Sequence, residues 1–390
     1  MVLKINESIG NLVLLTVDVG TSGTKIVFKV VQEGVPSKLD LLWMEPQLSQ
    51  KSREEIEERY ESTRFSVPQP ENEAWVEYED ECYVVGFLAK NQFDGTVELD
   101  NLKYEGAIPK VLAAVGVIAS KFGLPDEFDL ALTLPLPYNE WRDKDKFERA
   151  VTKALSNFSF RKRTLAVGLK FFMCVPEGGG LVITRNRKLG AGFDQKKILV
   201  IMLGYRDISI VVSERGVITG KTEALGLAEM IKLITCRTSR LEVDLLLKAI
   251  HQAGNVIKSK YFEGLVRSRK DGFKADEINE IVEAVRKSRT EYWGRVSNWL
   301  YNHTPTDVDE VIVGGGTSEY LKVELKALCA KRFPHATFSW AAELEEDVRQ
   351  AFNLAPSKDA QCLRLTDAYG LYRYMQKQVL PYLNGVKKRV

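Results

Sequence analysis

Short apolar runs alternate with amphipathic stretches along the chain, a pattern typical of α/β proteins. The runs Leu12–Val17 and Ile26–Val30 predict two strands, and the Gly-Thr-Ser-Gly-Thr turn between them predicts a β-hairpin. Apolar runs predict further strands at 130–134, 171–175, 198–202, 208–212 and 311–313. Helical spacing of apolar residues and charge patterning predict helices near 51–59, 108–122, 143–156, 275–301 and 318–331.

The pattern of the first half begins again near residue 190. A strand, a turn at Gly204–Arg206 and a second strand repeat the first hairpin, and both halves end in further strands followed by helices. We therefore predict two related α/β domains. The first covers 1–188 and is completed by a C-terminal helix at 360–385, the second covers 189–359, and the polar segment 34–80 suits a small peripheral subdomain of the first.

Composition and charge fit a folded protein rather than a disordered one. Of 390 residues, 45% are hydrophobic, and 55 Lys and Arg nearly balance 53 Asp and Glu, so nothing favours a nucleic-acid or membrane surface. The five cysteines show no CxxC spacing and the three histidines lie far apart, which argues against structural zinc and for a reducing compartment. With no apolar stretch near ~20 residues and a polar-interrupted N-terminus, we expect a cytoplasmic protein.

The loop Asp18-Val-Gly-Thr-Ser-Gly-Thr-Lys25 suits phosphate binding. Gly20 and Gly23 allow positive φ and let backbone amides approach phosphate oxygens. Asp18 at a strand end suits Mg²⁺ held through water, and Lys25 can neutralise phosphate charge. Hydroxyl donors could come from Thr21, Ser22 and Thr24. Taken by itself, the loop is equally a polar hairpin turn.

Other glycine-rich segments do not match nucleotide-binding motifs. The segment 216–222 resembles a P-loop, but it has three residues between its glycines where the motif needs four. The runs 178–180 and 314–316 lack the GxGxxG spacing. A Rossmann dinucleotide site is therefore not expected.

These motifs together resemble the actin-like ATPase superfamily, and within it the plasmid-segregating ParM/StbA group, over nearly the whole chain. Asp18–Lys25 matches the first phosphate motif, Leu203–Ser209 resembles the second, and Val311–Ser318 resembles the adenosine motif. Thr133–Pro137 is similar to the strand end that precedes a charged segment in the family. Asp367–Leu371 is similar to the helix that returns to the first domain.

The resemblance implies an actin-like (ribonuclease H-like) α/β fold in which two related domains flank a nucleotide cleft. It implies ATP as cofactor, with GTP left open, and Mg²⁺ held by Asp18 through water. Besides the first loop, the implied nucleotide-binding residues are Gly204, Tyr205, Arg206, Asp207, Gly226, Gly314, Gly315, Gly316 and Thr317.

Glu177 is a candidate catalytic residue, together with Asp18 of the first loop. Proline is favoured at the first position of a helix, so Pro176 predicts a helix start at Glu177, after the strand 171–175. The resemblance implies that this glutamate positions the attacking water, and a carboxylate facing the phosphates could also accept its proton. The alternative is that Glu177 only complements the helix dipole.

One departure from the family pattern concerns Met202. The second phosphate motif usually begins with an Asp that helps to hold Mg²⁺, and a later Asp is usual where Ser209 stands. Asp207 is a candidate second metal ligand that could compensate. If it does not, we expect weak metal binding or slow hydrolysis.

The branch of the superfamily that the sequence resembles implies a function in plasmid or DNA segregation. The expected partners are further copies of the chain, in a head-to-tail filament, and a DNA-binding adaptor protein; no direct sequence-specific DNA contact and no membrane are expected. Two alternatives stay open. One is a small-molecule kinase of the same fold, although no general-base motif is evident, and the other is a non-polymerising ATPase or partner protein.

Overall fold

The computed structural model describes residues 11–62, 69–97, 99, 102–239, 241–355 and 359–383. Contacts between residues divide the chain into two compact units. The first consists of the described residues of Met1–Gly190 and Leu344–Val390, and the second of those of Ala191–Glu343. The first unit is therefore built from both ends of the sequence, with the second inserted between them.

The first unit contains one large mixed sheet. Its strands are β1 (Asn11–Gly20), β2 (Gly23–Gln32), β3 (Leu39–Met44), β4 (Leu48–Lys51), β5 (Trp75–Tyr78), β6 (Glu81–Val85), β7 (Glu127–Leu136), β8 (Phe158–Phe160) and β9 (Arg163–Pro176). Its helices are α1 (Arg53–Ser62), α2 (Phe87–Gln92), α3 (Lys103–Lys121), α4 (Tyr138–Trp141), α5 (Lys144–Ser156), α6 (Gly179–Leu189), α12 (Glu345–Ala351) and α13 (Asp359–Leu383). The strand order is β3-β2-β1-β7-β9-β8-β5-β6-β4.

Strand β1 is buried on both faces. Val13, Leu15 and Val17 join residues of α3 in one apolar cluster, whereas Leu12 and Leu14 pack with residues of α13 in another. A strand covered by helices on both sides reads as a continuous apolar run, which is why the sequence shows one here. The two helices thus fix the strand that leads into the phosphate-type loop.

The far end of the large sheet carries a smaller cluster of its own. Strands β8, β5, β6 and β4 extend the sheet beyond β9, and helices α1 and α2 cover them. The small core there includes Ile56, Trp75, Val84 and Phe93. Strand β3, in contrast, pairs with β2 in the main part of the sheet.

Helix α3 starts earlier than the sequence predicted. The helical spacing of apolar residues placed its start at Ile108. The helix instead begins at Lys103 and includes Pro109 in its interior. This earlier start brings Lys103 into the site described below.

The second unit contains the sheet β12-β11-β10-β13-β14. Its strands are β10 (Lys197–Leu203), β11 (Ile208–Glu214), β12 (Val217–Glu223), β13 (Glu310–Gly314) and β14 (Thr337–Trp340), and its helices are α7 (Leu227–Thr235), α8 (Val243–Ala253), α9 (Asp271–His303), α10 (Gly316–Tyr320) and α11 (Lys322–Arg332). The segment that resembled a P-loop forms the turn before β12 and the edge strand itself, so it has no strand-loop-helix context.

The two units repeat one plan, as the sequence predicted. In the first, β1 pairs antiparallel with β2 and parallel with β7. In the second, β10 pairs antiparallel with β11 and parallel with β13. The order β3-β2-β1-β7-β9 in one sheet therefore corresponds to β12-β11-β10-β13-β14 in the other. The α/β class with two related domains is confirmed.

Helix α9 is the longest of the second unit's described helices and was predicted from spacing alone. It buries Ile281, Val285, Tyr292, Val296 and Leu300 against the second core, at the four- and seven-residue intervals that put side chains on one helical face. Among the described residues, every helix is too short or too polar to span a lipid bilayer.

Candidate functional site

Polarity increases along the face of β1 that packs against α13. Alternate residues of a strand share a face, and on this face Leu12 and Leu14 lie in the apolar cluster with α13. Thr16 follows, with its hydroxyl 2.7 Å from that of Thr133 on β7, and then Asp18. The charged C-terminal end of β1 therefore lies next to the apolar cluster that β1 forms with α13.

Asp18 forms an ion pair with Lys25 across the hairpin. The two residues are directly opposite in the β1–β2 register, and their side chains are 13% and 10% exposed. Burial alone would raise the pKa of Asp18, but Lys25, Lys103 and Arg364 together outweigh it and lower this pKa. Asp18 is therefore an ionised carboxylate among cations.

Glu177 lies in the turn between β9 and α6. Its Oε1 atom is 2.5 Å from Nζ of Lys103, and the same Nζ is 3.8 Å from Oδ1 of Asp18. Lys103 is almost fully buried, with 7% of its side chain exposed. One ammonium group thus joins the two carboxylates that the sequence singled out.

The predicted helix start at Glu177 is wrong by two residues. Pro176 is the last residue of β9 and pairs with Leu136 of β7, so it ends a strand instead of opening a helix. Gly178 caps the helix with φ of 88°, and α6 begins at Gly179. The carboxylate of Glu177 is therefore directed to Lys103, and the backbone N–H groups at the helix start bind Asp367 instead.

The tip of the β1–β2 hairpin is packed tightly. Gly20 and Gly23 are the last paired residues, with Thr21 and Ser22 between them. Gly23 has φ of 144°, and a Cβ atom built on it would lie 2.4 Å from Nε1 of Trp43. A side chain at this position would clash with the indole ring, so glycine is required for the turn to close.

Thr24 differs from its neighbours in the loop. Its side chain is 1% exposed, and its Oγ1 atom has no hydrogen-bond partner. By strand alternation it lies on the face opposite Lys25. The structure thus puts the Lys25 ammonium, and not the Thr24 hydroxyl, beside Asp18.

The second unit brings several of the predicted residues together at the β10–β11 turn. The Gly204 N–H donates to the carbonyl of Asp207 at 2.8 Å, and the Gly226 N–H donates to the carbonyl of Arg206 at 2.8 Å. The Ala228 N–H donates to the carbonyl of Tyr205 at 2.8 Å. The turn is thereby fastened to the start of α7.

The Gly314–Gly316 segment approaches the same turn. Gly314 ends β13 beside Met202, Gly315 precedes α10, and Gly316 is the first residue of that helix. The Thr317 hydroxyl donates to the carbonyl of Gly204 at 2.7 Å. The predicted second phosphate and adenosine motifs are therefore neighbours within the second unit.

Met202 and Ser209 are the counterparts of Asp18 and Lys25. Each pair is directly opposite in its hairpin, and the first member lies two residues before a glycine. Ser209 is buried and its hydroxyl is 2.9 Å from that of Thr222. The second unit thus has an uncharged pair where the first has an ion pair.

Asp207 is already engaged by a cation. Nε of Arg206 donates to its Oδ2 at 2.7 Å, and both side chains are about a tenth exposed, at 10% and 11%. A metal ion would have to compete with this guanidinium for the carboxylate. No group of three or more His, Cys, Asp or Glu side chains within the described residues is arranged to hold a metal ion.

Comparison with known families identifies the fold. Residues 16–180 match the family model described as the N-terminal domain of actin-like proteins. This stretch contains the tip of the β1–β2 hairpin and Glu177. No curated protein matches the chain by sequence.

Three solved structures are similar over nearly the whole chain. A ParM from Clostridium botulinum, solved as a 15-stranded filament, has a TM-score of 0.56 and 14% identity, covering 94% of this chain and 99% of that one. Bacillus thuringiensis ParM with AMPPNP has a TM-score of 0.54 and 13% identity over 95% and 100%. The apo pSK41 ParM has a TM-score of 0.53 and 14% identity over 95% and 99%.

This chain has the actin-like fold. The family model confirms the resemblance to actin-like proteins over residues 16–180, and the three ParM structures share the fold over nearly the whole chain. Each of this chain's two repeated sheets contains a corresponding hairpin. The tips of these hairpins are Thr21–Ser22 and Gly204–Asp207.

Three residues of the first unit's site were missed from the sequence. Lys103 was hidden because the helix start was placed after it. Arg364 donates to the Ser22 carbonyl at 2.9 Å and Asp367 accepts from the Gly178 N–H at 2.8 Å. Asp367 opened a motif that resembled the family's C-terminal helix, so the signal for its position was present, but nothing in the sequence indicated its contact.

Proposed function

We propose that this protein binds ATP with Mg²⁺ and hydrolyses it to control its own assembly into filaments. The observation that carries the proposal is the cluster of Asp18, Lys25, Lys103 and Glu177 beside the hairpin of an actin-like fold. Two buried ammonium groups next to a backbone loop suit the β- and γ-phosphates of a nucleotide.

The loop residues fit the phosphates of a nucleotide. The hairpin tip offers the backbone of Gly20–Gly23 and the Ser22 hydroxyl. Lys25 now pairs with Asp18, and a phosphate would give its ammonium group a second anionic partner. We propose that the loops of the second unit around Gly204 and Gly315 are nucleotide-binding loops as well.

Mg²⁺ fits the donor set of the first unit. Asp18 is ionised and lies at the strand end, so it would hold the ion through water, as Mg²⁺ keeps much of its hydration shell. The bound ion would neutralise charge on the phosphate oxygens. Both carboxylates already face cations, Asp18 those of Lys25 and Lys103 and Asp207 that of Arg206. We favour Asp18 because it lies in the first phosphate-type loop.

Glu177 is proposed as the residue that orients the attacking water. The Lys103 contact fixes the direction of its carboxylate. As the water oxygen bonds to the γ-phosphorus and the bond to the ADP oxygen breaks, the water proton passes to this carboxylate. Removal of such a base commonly costs about 10²- to 10⁴-fold in rate.

Filament formation follows from the proposed binding and hydrolysis of the nucleotide. Contacts that differ before and after loss of the γ-phosphate can favour different states of the protein. A head-to-tail interface that does not close then extends into a filament. The C. botulinum ParM is a filament and supports this assembly; we propose a DNA-binding adaptor as the further partner and plasmid or DNA segregation as the role.

Phosphate release and sedimentation test the proposal together. We expect Mg²⁺-dependent release of phosphate from ATP by the wild-type protein, loss of release in Asp18→Ala and in Glu177→Ala, and pelleting that depends on the nucleotide. Unchanged rates in both variants would remove the hydrolytic assignment. A protein that stays monomeric with every nucleotide would contradict the filament. The same assays with GTP decide between adenine and guanine.

The Met202–Ser209 pair favours a second candidate, a switch that binds nucleotide and turns it over slowly. The equivalent pair in the first unit carries two charges, whereas this one carries none. Two results would identify this slow switch. ATP would bind tightly with phosphate release near the uncatalysed rate, and filaments would persist after ATP is added.

A further inference from the structure

Arg364 of α13 supports the tip of the phosphate hairpin. Its guanidinium donates to the carbonyl of Ser22 at 2.9 Å and to the Ser22 hydroxyl at 2.7 Å. It also lies over the ring of Trp43, 4.4 Å from the ring centre, and Trp43 is the side chain that meets Gly23. Arg364 therefore holds the loop directly and through the indole ring.

Asp367, one helical turn later, holds the segment that follows Glu177. Its Oδ2 accepts from the Gly178 N–H at 2.8 Å, and its Oδ1 accepts from the N–H groups of Gly180 at 2.8 Å and Leu181 at 3.3 Å. The carboxylate is 5% exposed. Asp367 thus satisfies the free amides at the start of α6, which an N-cap side chain of α6 itself would normally do.

The backbones of α6 and α13 are in direct contact at this point. A Cβ atom added to Gly180 would lie 2.0 Å from the carbonyl oxygen of Asp367, and one added to Gly370 would lie 2.7 Å from the carbonyl oxygen of Gly180. With no side chains between them, the start of α6 and this part of α13 must move together.

We propose that Arg364 and Asp367 are positioning residues, through which α13 sets the phosphate hairpin and the Glu177 turn in register with each other. Residues three apart lie on the same side of a helix, so one rigid element contacts both halves of the site. The inference rests on the proposed nucleotide function. Arg364 acts through the loop and Asp367 acts through Glu177, so the two should affect different steps.

Separate measurements of nucleotide affinity and rate test the assignment. In Arg364→Gln we expect the Kd for ATP to rise about tenfold, because the loop loses two hydrogen bonds that involve a charged donor. In Asp367→Asn we expect kcat to fall about tenfold with the Kd unchanged, since a small displacement of a catalytic group is enough for such a loss. Asp367→Glu, which keeps the charge, should recover part of the rate.

Arg373→Gln is the matched control. Arg373 lies on the same helix and pairs with Asp347 at 2.7 Å, with neither residue among the site contacts described above. We expect its Kd and kcat to equal those of the wild type. Equal changes in all three variants would show a general effect on α13 and overturn the proposal.

Amide hydrogen exchange gives a result that does not depend on hydrolysis. We expect faster exchange at residues 178–181 in Asp367→Asn and at residues 22–24 in Arg364→Gln, with neither segment altered in Arg373→Gln. Unchanged exchange in both test variants would overturn the positioning roles even if ATP is hydrolysed. If the wild-type protein binds no nucleotide but the two variants show these exchange changes, the proposed function is wrong and α13 is still the element that orders the two segments.

Discussion

The Nζ atom of Lys103 lies 2.5 Å from Oε1 of Glu177, and this contact ties the start of α3 to the turn after β9. The same atom lies 3.8 Å from Oδ1 of Asp18 at the end of β1. β1 and β9 are separated in the sheet by β7. A single buried ammonium group therefore lies close to carboxylates from two strands that are not neighbours, and it offsets the repulsion between them.

Replacing Lys103 with Met should reduce phosphate release by about 10- to 100-fold, since Glu177 loses the partner that directs it. The apolar methionine keeps the length of the side chain but leaves two carboxylates without their shared cation. Steady-state phosphate release at saturating ATP measures the effect.

The matched control for this change is Lys121→Met at the other end of α3. Lys121 pairs with Glu71 at 2.7 Å, and its side chain is 34% exposed. We expect a near wild-type rate. A Lys103→Met protein that is folded and equally fast would show that Glu177 needs no such partner.

Introducing a carboxylate at position 202 should accelerate hydrolysis. Met202 occupies the position in the second hairpin that corresponds to Asp18 in the first, and an aspartate there would supply a carboxylate of the kind that Mg²⁺ prefers. We expect Met202→Asp to raise kcat several-fold and to lower the Mg²⁺ concentration needed for half-maximal rate. Met202→Leu, which adds no charge, should change neither quantity; a slower Met202→Asp enzyme would show that the missing acid does not limit turnover.

Gly23→Ala should destabilise the first unit and weaken ATP binding. The new methyl group would meet the Trp43 ring within 2.4 Å at a backbone φ of 144°, and such strain costs about 1–3 kcal/mol. Thermal unfolding and ATP titration measure the two effects. Gly192→Ala, where nothing lies within 4 Å of the added atom, should leave both unchanged, and equal behaviour of the two variants would contradict the tight packing of the loop.

The ionisation of Asp367 should lower the protein's free energy of unfolding as pH rises. Burial raises the pKa of Asp367 to about 7, the backbone N–H groups of Gly178 and Gly180 lower it, and the charges of Asp18 and Glu177 raise it further. Between pH 4 and 7 the folded protein therefore holds a proton that the unfolded chain has lost, so this residue's stabilising contribution falls as pH increases.

Asp367→Asn removes this titration and provides the test. Unfolding by denaturant at pH 4.5, 6 and 8 should show the variant gaining stability relative to wild type, by a few kcal/mol from the lowest to the highest pH. The control Arg373→Gln should keep a constant difference. A constant difference for Asp367→Asn as well would mean that the pKa of this carboxyl is ordinary.

Much of the fold could be predicted because burial leaves a periodic pattern in the sequence. The run Leu12–Val17 marks a strand buried on two faces, and the spacing of Ile281, Val285 and Tyr292 marks one face of α9. The repeat of hairpin and strand near residue 200 indicated the second sheet. These signals are local, so they were visible without any tertiary contact.

The missed parts of the site depend on contacts between distant residues. Ser22 and Arg364 are 342 positions apart, and Gly178 and Asp367 are 189 apart. No local pattern records which loop a helix will touch after folding. The apolar spacing that marked α3 began only at Ile108, which left Lys103 outside the predicted helix. Pro176 misplaced the start of α6, because tertiary packing overrode the usual position of proline.

The discontinuous first unit has a consequence for synthesis on the ribosome. Leu12 and Leu14 emerge early, yet the α13 residues that cover them, such as Tyr372 and Met375, emerge only after the whole inserted unit. Until then one face of β1 lacks its apolar partner, and the amides after Glu177 lack Asp367. The nascent chain should therefore acquire an ordered phosphate site only at the end of translation, which would keep unfinished chains from joining an assembly.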